Sequence, residues 1–295
     1  MVVSWAPFAR LKLDTGQYHL RKLAALAPLA AASAFCFGVP YLARLAVMAA
    51  ASAIFLALLS WRRAFDFKWS HALYEALLLS LLAPRELSWQ MAWAAPTLSL
   101  SLRRLLGGRE GMAPVNVPAL TLGALAAHLG QGSESLGSWP APWWFGPAVE
   151  QYFLCGALPA ALSSLALALL LGGFLKRQLV VFFSLPAYFL SALWLYNAGG
   201  WGAAGGGMLV LLNALLVASF FLAHDELSTP RAGWAQAAQG LASVAVFLAL
   251  YAGGRLYQAV VWSAFIPSLF STWLDSSSAY RRWLPRFPSG PGIME

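Results

Sequence analysis

Apolar runs of membrane-crossing length, separated by short basic, glycine or proline turns, occupy almost all of this chain between residues 23 and 274. A helix that crosses the ~30 Å hydrocarbon core takes about 20 apolar residues. Runs bounded by charge, Gly or Pro predict spans at 23–39, 44–61, 69–84, 88–106 and 114–129. A second set is predicted at 154–175, 179–197, 205–223, 234–252 and 256–274. Neighbouring runs lie so close that the chain must turn within a few residues, as at Gly38-Val39-Pro40 and Gly253-Gly254. The alanine-rich stretch 24–35 is expected to stay as the first helix: the 22 residues before it are too long and mixed for a signal-peptide n-region, and further spans follow at once.

The expected fold is therefore all-α and polytopic, ten transmembrane helices arranged as two inverted five-helix repeats. Its divisions are a cytoplasmic segment 1–22, a first repeat 23–129, an external Trp-rich loop 130–153, a second repeat 154–274 and a cytoplasmic tail 275–295. Composition agrees. Sixty per cent of the 295 residues are hydrophobic and only 10% charged, against ~25% charged in soluble domains. No polar stretch is long enough for a separate soluble domain.

The net charge of +8 would suit a nucleic-acid partner if it were patched. Instead the basic residues come in twos and threes at the ends of apolar runs, as cytoplasmic membrane flanks do. With the N-terminus inside, 16 of the 19 Lys and Arg fall on cytoplasmic segments and only Arg44, Arg85 and Arg255 on the other side. Adding or losing one span would scramble that alternation, so both ends are expected in the cytoplasm of a bacterial inner membrane. The external loop has no Lys or Arg, two acids (Glu134 and Glu150) and the cluster Trp139-Pro-Ala-Pro-Trp143-Trp144-Phe145. This cluster reads as an interfacial anchor or as an aromatic platform for a cofactor or a partner protein.

Two halves with an odd number of spans can be related only by inversion. Gly107-Gly108-Arg109 follows the fourth span and Gly253-Gly254-Arg255 the ninth, on opposite sides as inversion requires. Spans three and eight each end in a proline-containing turn, Ala83-Pro84 and Ser228-Thr229-Pro230. The two cysteines, Cys36 and Cys155, lie among apolar neighbours with no Cys-x-x-Cys, so this chain alone supplies neither an iron–sulfur ligand set nor c-type haem attachment.

Four segments carry a resemblance: Ala72-Leu73-Tyr-Glu-Ala-Leu77-Leu78-Leu79 ending in Ala83-Pro84; Gly107-Gly108 through Pro114-Val-Asn116-Val-Pro118-Ala119; Phe220-Phe221-Leu-Ala-His-Asp225-Glu-Leu-Ser228; and Ala264-Phe265-Ile266-Pro267-Ser-Leu-Phe-Ser-Thr-Trp-Leu-Asp275. In this order and at these spans, the chain resembles one family of polytopic membrane subunits over nearly its whole length. That family is shared by the Rnf ferredoxin:NAD oxidoreductase complex and the sodium-pumping NADH:quinone reductase. The resemblance implies a membrane subunit, not catalytic alone, of a complex coupling redox steps to sodium or proton movement, with other membrane subunits as partners.

The departures from that family carry expectations of their own. Family members hold FMN on a threonine of a Ser-Gly-Ala-Thr-like motif between spans five and six. The segment here, His128-Leu-Gly-Gln-Gly-Ser133-Glu-Ser135-Leu-Gly-Ser138-Trp, has no threonine and is much shorter. No covalent FMN is expected. Electron passage through the subunit would then need a non-covalent flavin (FMN or riboflavin) or a neighbour's cofactor. Inside the membrane, the family's Thr-Gly of the third span is Glu75-Ala76, and the Ser-Gly of the eighth is Leu212-Asn213. A carboxylate at a helix centre costs ~2.5–3.5 kcal/mol on translocon scales. Such groups face the bundle interior and find partners.

Glu75 and Asn213 are thus candidates either for a polar clamp between helices or for an ion path. His71 lies four residues before Glu75, on the same helical face, and is placed to relay a proton to it. His19, His71, His128 and His224 include no pair whose spacing makes b-type haem ligation compelling. The family's inverted fold is like that of urea transporters, so a solute channel or transporter is the alternative reading, and an assembly scaffold the third.

Overall fold

The computed structural model describes residues 15–61, 69–85, 87–107, 115–129, 136–137, 148–149, 158–170, 179–197, 215–216, 221–222, 228–230, 232–251 and 256–276. In chain order these form α1 (Thr15–Phe37), α2 (Val39–Trp61), α3 (Trp69–Leu82), α4 (Trp89–Gly107), α5 (Val117–Leu129), β1 (Leu136–Gly137) and β2 (Ala148–Val149). They continue with α6 (Leu158–Leu170), α7 (Leu179–Asn197), α8 (Gly233–Tyr251), α9 (Leu256–Leu269) and the short α10 (Ser271–Ser276). Nine of the ten predicted spans coincide with helix among the described residues. The eighth is described only at 215–216 and 221–222, where it is helical. The expectation of a purely helical chain needs one amendment. Leu136 pairs with Val149 and Gly137 with Ala148 in a minimal antiparallel ladder within the predicted external loop.

Three described helices are long and apolar enough to cross a bilayer, His19–Phe37, Val39–Trp61 and Gly233–Tyr251. Their outer surfaces bear Phe35, Leu42, Ile54, Leu58 and Leu241, all exposed, which water would not tolerate as a contiguous coat. Exposed tryptophans stand near helix ends: Trp61 closes α2, Trp69 opens α3, Trp89 opens α4 and Trp234 nearly opens α8. That is where indole rings settle at the headgroup level. By length, composition and surface this is a membrane-embedded helical protein.

The turn between α1 and α2 is one residue long. Gly38 has φ of 60°, a left-handed conformation that closes a helix without a Cβ penalty, and its N–H donates to Ala34 O at 2.8 Å. Pro40 then sits in the first turn of α2, where a missing N–H costs nothing. At the start of the chain, α1 begins at Thr15, ahead of the predicted boundary at 23, and His19 and Lys22 are buried in it. At the other end, the predicted tenth span is interrupted at Phe270, between α9 and α10, beyond Pro267.

α3 is the innermost helix of the first half. Its 14 residues reach only ~21 Å, and all except Trp69 and Leu73 are buried. It packs on α1, α2 and α4; α2 also packs on α4, and α4 on α5. In the second half α7 packs on α8, and α8 on α9. The halves meet where α1 packs on α6 and α5 on α9. The pattern of burial also repeats. Both α4 and α8 have 19 residues. α4 buries Ala92, Ala95, Pro96, Ser99, Leu100 and Arg103; the same helix positions in α8 are Gln236, Gln239, Gly240, Ser243, Val244 and Phe247, all buried. Between α7 and α8 the backbones approach closely: a Cβ at Gly240 would lie 2.7 Å from Val180 O. Between α5 and α9, a Cβ at Gly123 would lie 2.8 Å from the Trp262 ring.

Candidate functional site

At one end of α1, α3 and α4 a group of polar side chains is enclosed by apolar helix. α1 and α3 contribute residues from their N-terminal halves and α4 from its C-terminal half, so opposite chain directions bring them together. Glu75, fully buried, stands midway along α3. Its Oε1 accepts from Ser99 Oγ at 2.9 Å and from Arg103 Nε of the same helix α4. Ser99 and Arg103 are four residues apart, one helical turn, so both donors reach one acceptor. Glu75 Oε2 is buried and has no hydrogen-bond partner among the described residues.

Beside this ion pair, the rings of His19 (α1) and His71 (α3) stack at 3.8 Å between centroids with 23° between planes. No iron fits between rings at that separation. Lys22, one turn beyond His19, lies over the Tyr74 ring at 5.4 Å from its centroid. A cation on an aromatic face is held by the ring quadrupole. His71, Tyr74 and Glu75 therefore share one buried stretch of α3 and turn toward α1 and α4 together.

Tyr74 also reaches across to the second half. Its hydroxyl donates to Phe221 O at 3.0 Å. Residues 221–222 are π-helical. The neighbouring carbonyl, Leu222 O, accepts from Asn116 Nδ2. Asn116 is the N-cap of α5: its Oδ1 accepts from Ala119 N at 3.2 Å, and its own N–H donates to Ser268 Oγ of α9 at 3.2 Å. One residue thus ties the start of α5 to the π turn and to α9. Irregular backbone at membrane depth is tolerated where protein donors meet it.

Of the residues expected from the sequence, Glu75 and His71 come together in this cluster. Asn213 lies outside the described residues, as do His224, Asp225 and the Trp139–Phe145 cluster. Sequence reasoning misses four members: Ser99, Tyr74, and the pair Lys22 and Arg103, which read as loop cations. The signal that could have found them is spacing: Ser99 and Arg103 share a helical face, and that face is otherwise apolar. At the opposite end of the bundle Arg44 Nη2 donates to Arg85 O at 2.8 Å. Arg44 lies over Trp89 and Arg85 over Phe37, at 5.3 and 5.2 Å.

No protein-family model matches the chain, and no curated protein matches it either.

Proposed function

We propose that this chain is an integral membrane subunit of an Rnf/Nqr-like electron-transfer complex. In this reading it takes part in coupling redox chemistry to sodium or proton movement and carries no covalent FMN. The observation that supports it most is the convergence of four separate segments. Tyr74, Asn116, Phe221 with Leu222, and Ser268 each belong to one of the four stretches that resemble the family, and hydrogen bonds join them at one place.

The ten-span inverted repeat belongs to this reading. Counting the predicted spans, the pairing of two with four and four with five recurs as seven with nine and nine with ten. Two contacts between halves, one with six and five with ten, join a span to the one five places on, which agrees with a pseudo-twofold axis. The shared burial positions of α4 and α8 support the same symmetry. Both termini are then cytoplasmic, and the Glu75 cluster lies toward the basic, cytoplasmic side. Partners are other membrane subunits, and a flavin, if this chain holds one, is bound without an ester.

The test is isolation of the tagged chain from its native membranes in mild detergent. Subunits with flavin and iron–sulfur absorption are expected to accompany it; isolation without any redox-active neighbour ends the reading. Mild-acid gels should show no fluorescent band on this chain, and a covalent flavin band would refute that part alone. In the assembled complex, Glu75→Gln keeps size and removes charge, so coupled ion uptake should fall; unchanged uptake would leave Glu75 a structural clamp. The π-helical residues Phe221–Leu222 favour a second reading, a solute channel or transporter. Solute flux through the isolated chain in liposomes distinguishes it.

A further inference from the structure

In the second half of the bundle α8 packs on both α7 and α9, and none of the three contains Asp, Glu, Lys, Arg or His. Their buried hydroxyls are engaged within the protein. Ser184, Ser191, Ser243, Ser263 and Ser268 each donate to a backbone carbonyl of their own helix. Tyr188 donates to Ser263 Oγ at 3.0 Å. Gln239 differs. It is 1% exposed, and neither its Nε2 nor its Oε1 has a hydrogen-bond partner among the described residues. It is the seventh residue of α8, ~9 Å along the helix, and that helix is long and apolar enough to cross a bilayer. Gly240, the next residue, meets the α7 backbone. Gln239 stands ~100° round the helix from it, and protein covers that side as well.

We infer that Gln239 is the recognition group of a binding site for a small uncharged molecule that presents a hydrogen-bond donor and an acceptor on one edge, as an amide does. A buried polar group whose hydrogen bonds are unmet destabilises a fold, and lipid cannot meet them. Methionine would fill a similar volume at this position without polar atoms. Stability therefore does not account for the carboxamide, and departures from local stability concentrate at functional sites. The atoms themselves define the ligand. Nε2 donates and Oε1 accepts, side by side in one plane, so the complement is a carbonyl oxygen beside an N–H. Two such bonds hold the molecule in one orientation. Charge narrows the class further. A carboxylate or ammonium would enter a region where α7, α8 and α9 offer no counter-charge, and an unpaired buried charge is far costlier than a neutral amide. The inference rests on the membrane-embedded fold and not on the complex-subunit reading.

Acetamide is the probe, and N,N-dimethylacetamide, which keeps the carbonyl and loses both N–H donors, is its control. Saturation-transfer NMR on the full chain in lipid nanodiscs, with empty nanodiscs subtracted, reads the binding of each. The native chain should transfer saturation to acetamide and severalfold less to N,N-dimethylacetamide. Gln239→Met should lose the acetamide signal severalfold while its thermal unfolding midpoint rises by a few degrees. Equal transfer to the two probes, or none from the native chain, overturns the proposal: the carboxamide then meets water only. An acetamide signal unchanged in Gln239→Met places the binding elsewhere and overturns it too. Gln239→Leu is measured beside Gln239→Met; a lower midpoint or failure to fold in both makes the carboxamide a structural group. Failure of the complex-subunit reading would appear separately, as missing redox neighbours, and would leave these signals as they are.

Discussion

α4 and α8 are equal in length and bury the same six positions, yet they use those positions differently. At the fifteenth residue α4 has Arg103, paired with Glu75, and α8 has Phe247. Phe247 meets the Tyr188 ring edge-on at 5.4 Å and stacks on Tyr251 at 5.6 Å. At the eleventh residue both helices have a buried serine, Ser99 and Ser243. Ser99 donates to the carboxylate; Ser243 donates to Gln239 O of its own helix at 3.0 Å. At the eighth, α4 has Pro96 and α8 has Gly240. The same framework thus supports a charged junction in one half and a close-packed, uncharged one in the other. Position sets burial, and the residue type alone decides whether the position carries chemistry.

Breaking the charged junction should have the largest effect. Arg103→Leu leaves the Glu75 carboxylate buried without its cation and is expected to cost ~3–5 kcal/mol, measured as thermal unfolding in detergent. Glu75→Leu combined with Arg103→Leu should recover most of that loss, because an apolar pair of similar volume avoids the buried charge. A double variant as unstable as the single one would show that α3 and α4 need the ion pair itself.

The second test addresses the eighth position. Gly240→Ala forces a methyl against Val180 O and should cost ~1–3 kcal/mol through overpacking, whereas Pro96→Ala at the matching place in α4 should be tolerated. Equal losses would mean that α4 and α8 approach their neighbours in the same manner. The smallest change tests the link between the halves. Tyr74→Phe removes the donor to Phe221 O and should cost about 1 kcal/mol, with assembly intact. No measurable loss would place the π turn's support on Asn116 alone.

The outline of this fold was legible because membrane spans announce themselves by apolar length and by the basic residues at their ends. Gly38 was legible as a turn, and Glu75 as a polar group that must find a partner. The partner was not. Arg103 sits near the end of an apolar run beside Arg104, and such a cation reads as a headgroup-facing flank until tertiary packing turns it inward. The repeat expected from the turn tripeptides and the burial positions shared by α4 and α8 differ in register. Aligning Gly107-Gly108-Arg109 with Gly253-Gly254-Arg255 sets Arg103 against Ala249, while burial sets it against Phe247. Turn tripeptides mark where helices stop; with 3.6 residues per turn, a two-residue slip moves a side chain to the opposite face. Lys22 was missed for a related reason, since a helix that begins before its apolar run leaves no hydropathy signal.

The single-residue junction at Gly38 has a mechanical consequence. α1 has His19 and Lys22 near one end, Pro28 between, and that junction at the other, where a single residue leaves no slack between the helices. A tilt of α1 that parts the stacked imidazoles must swing the head of α2, and with it Arg44 and its grip on Arg85 O. Opposite ends of the bundle are therefore joined through one short connection between α1 and α2.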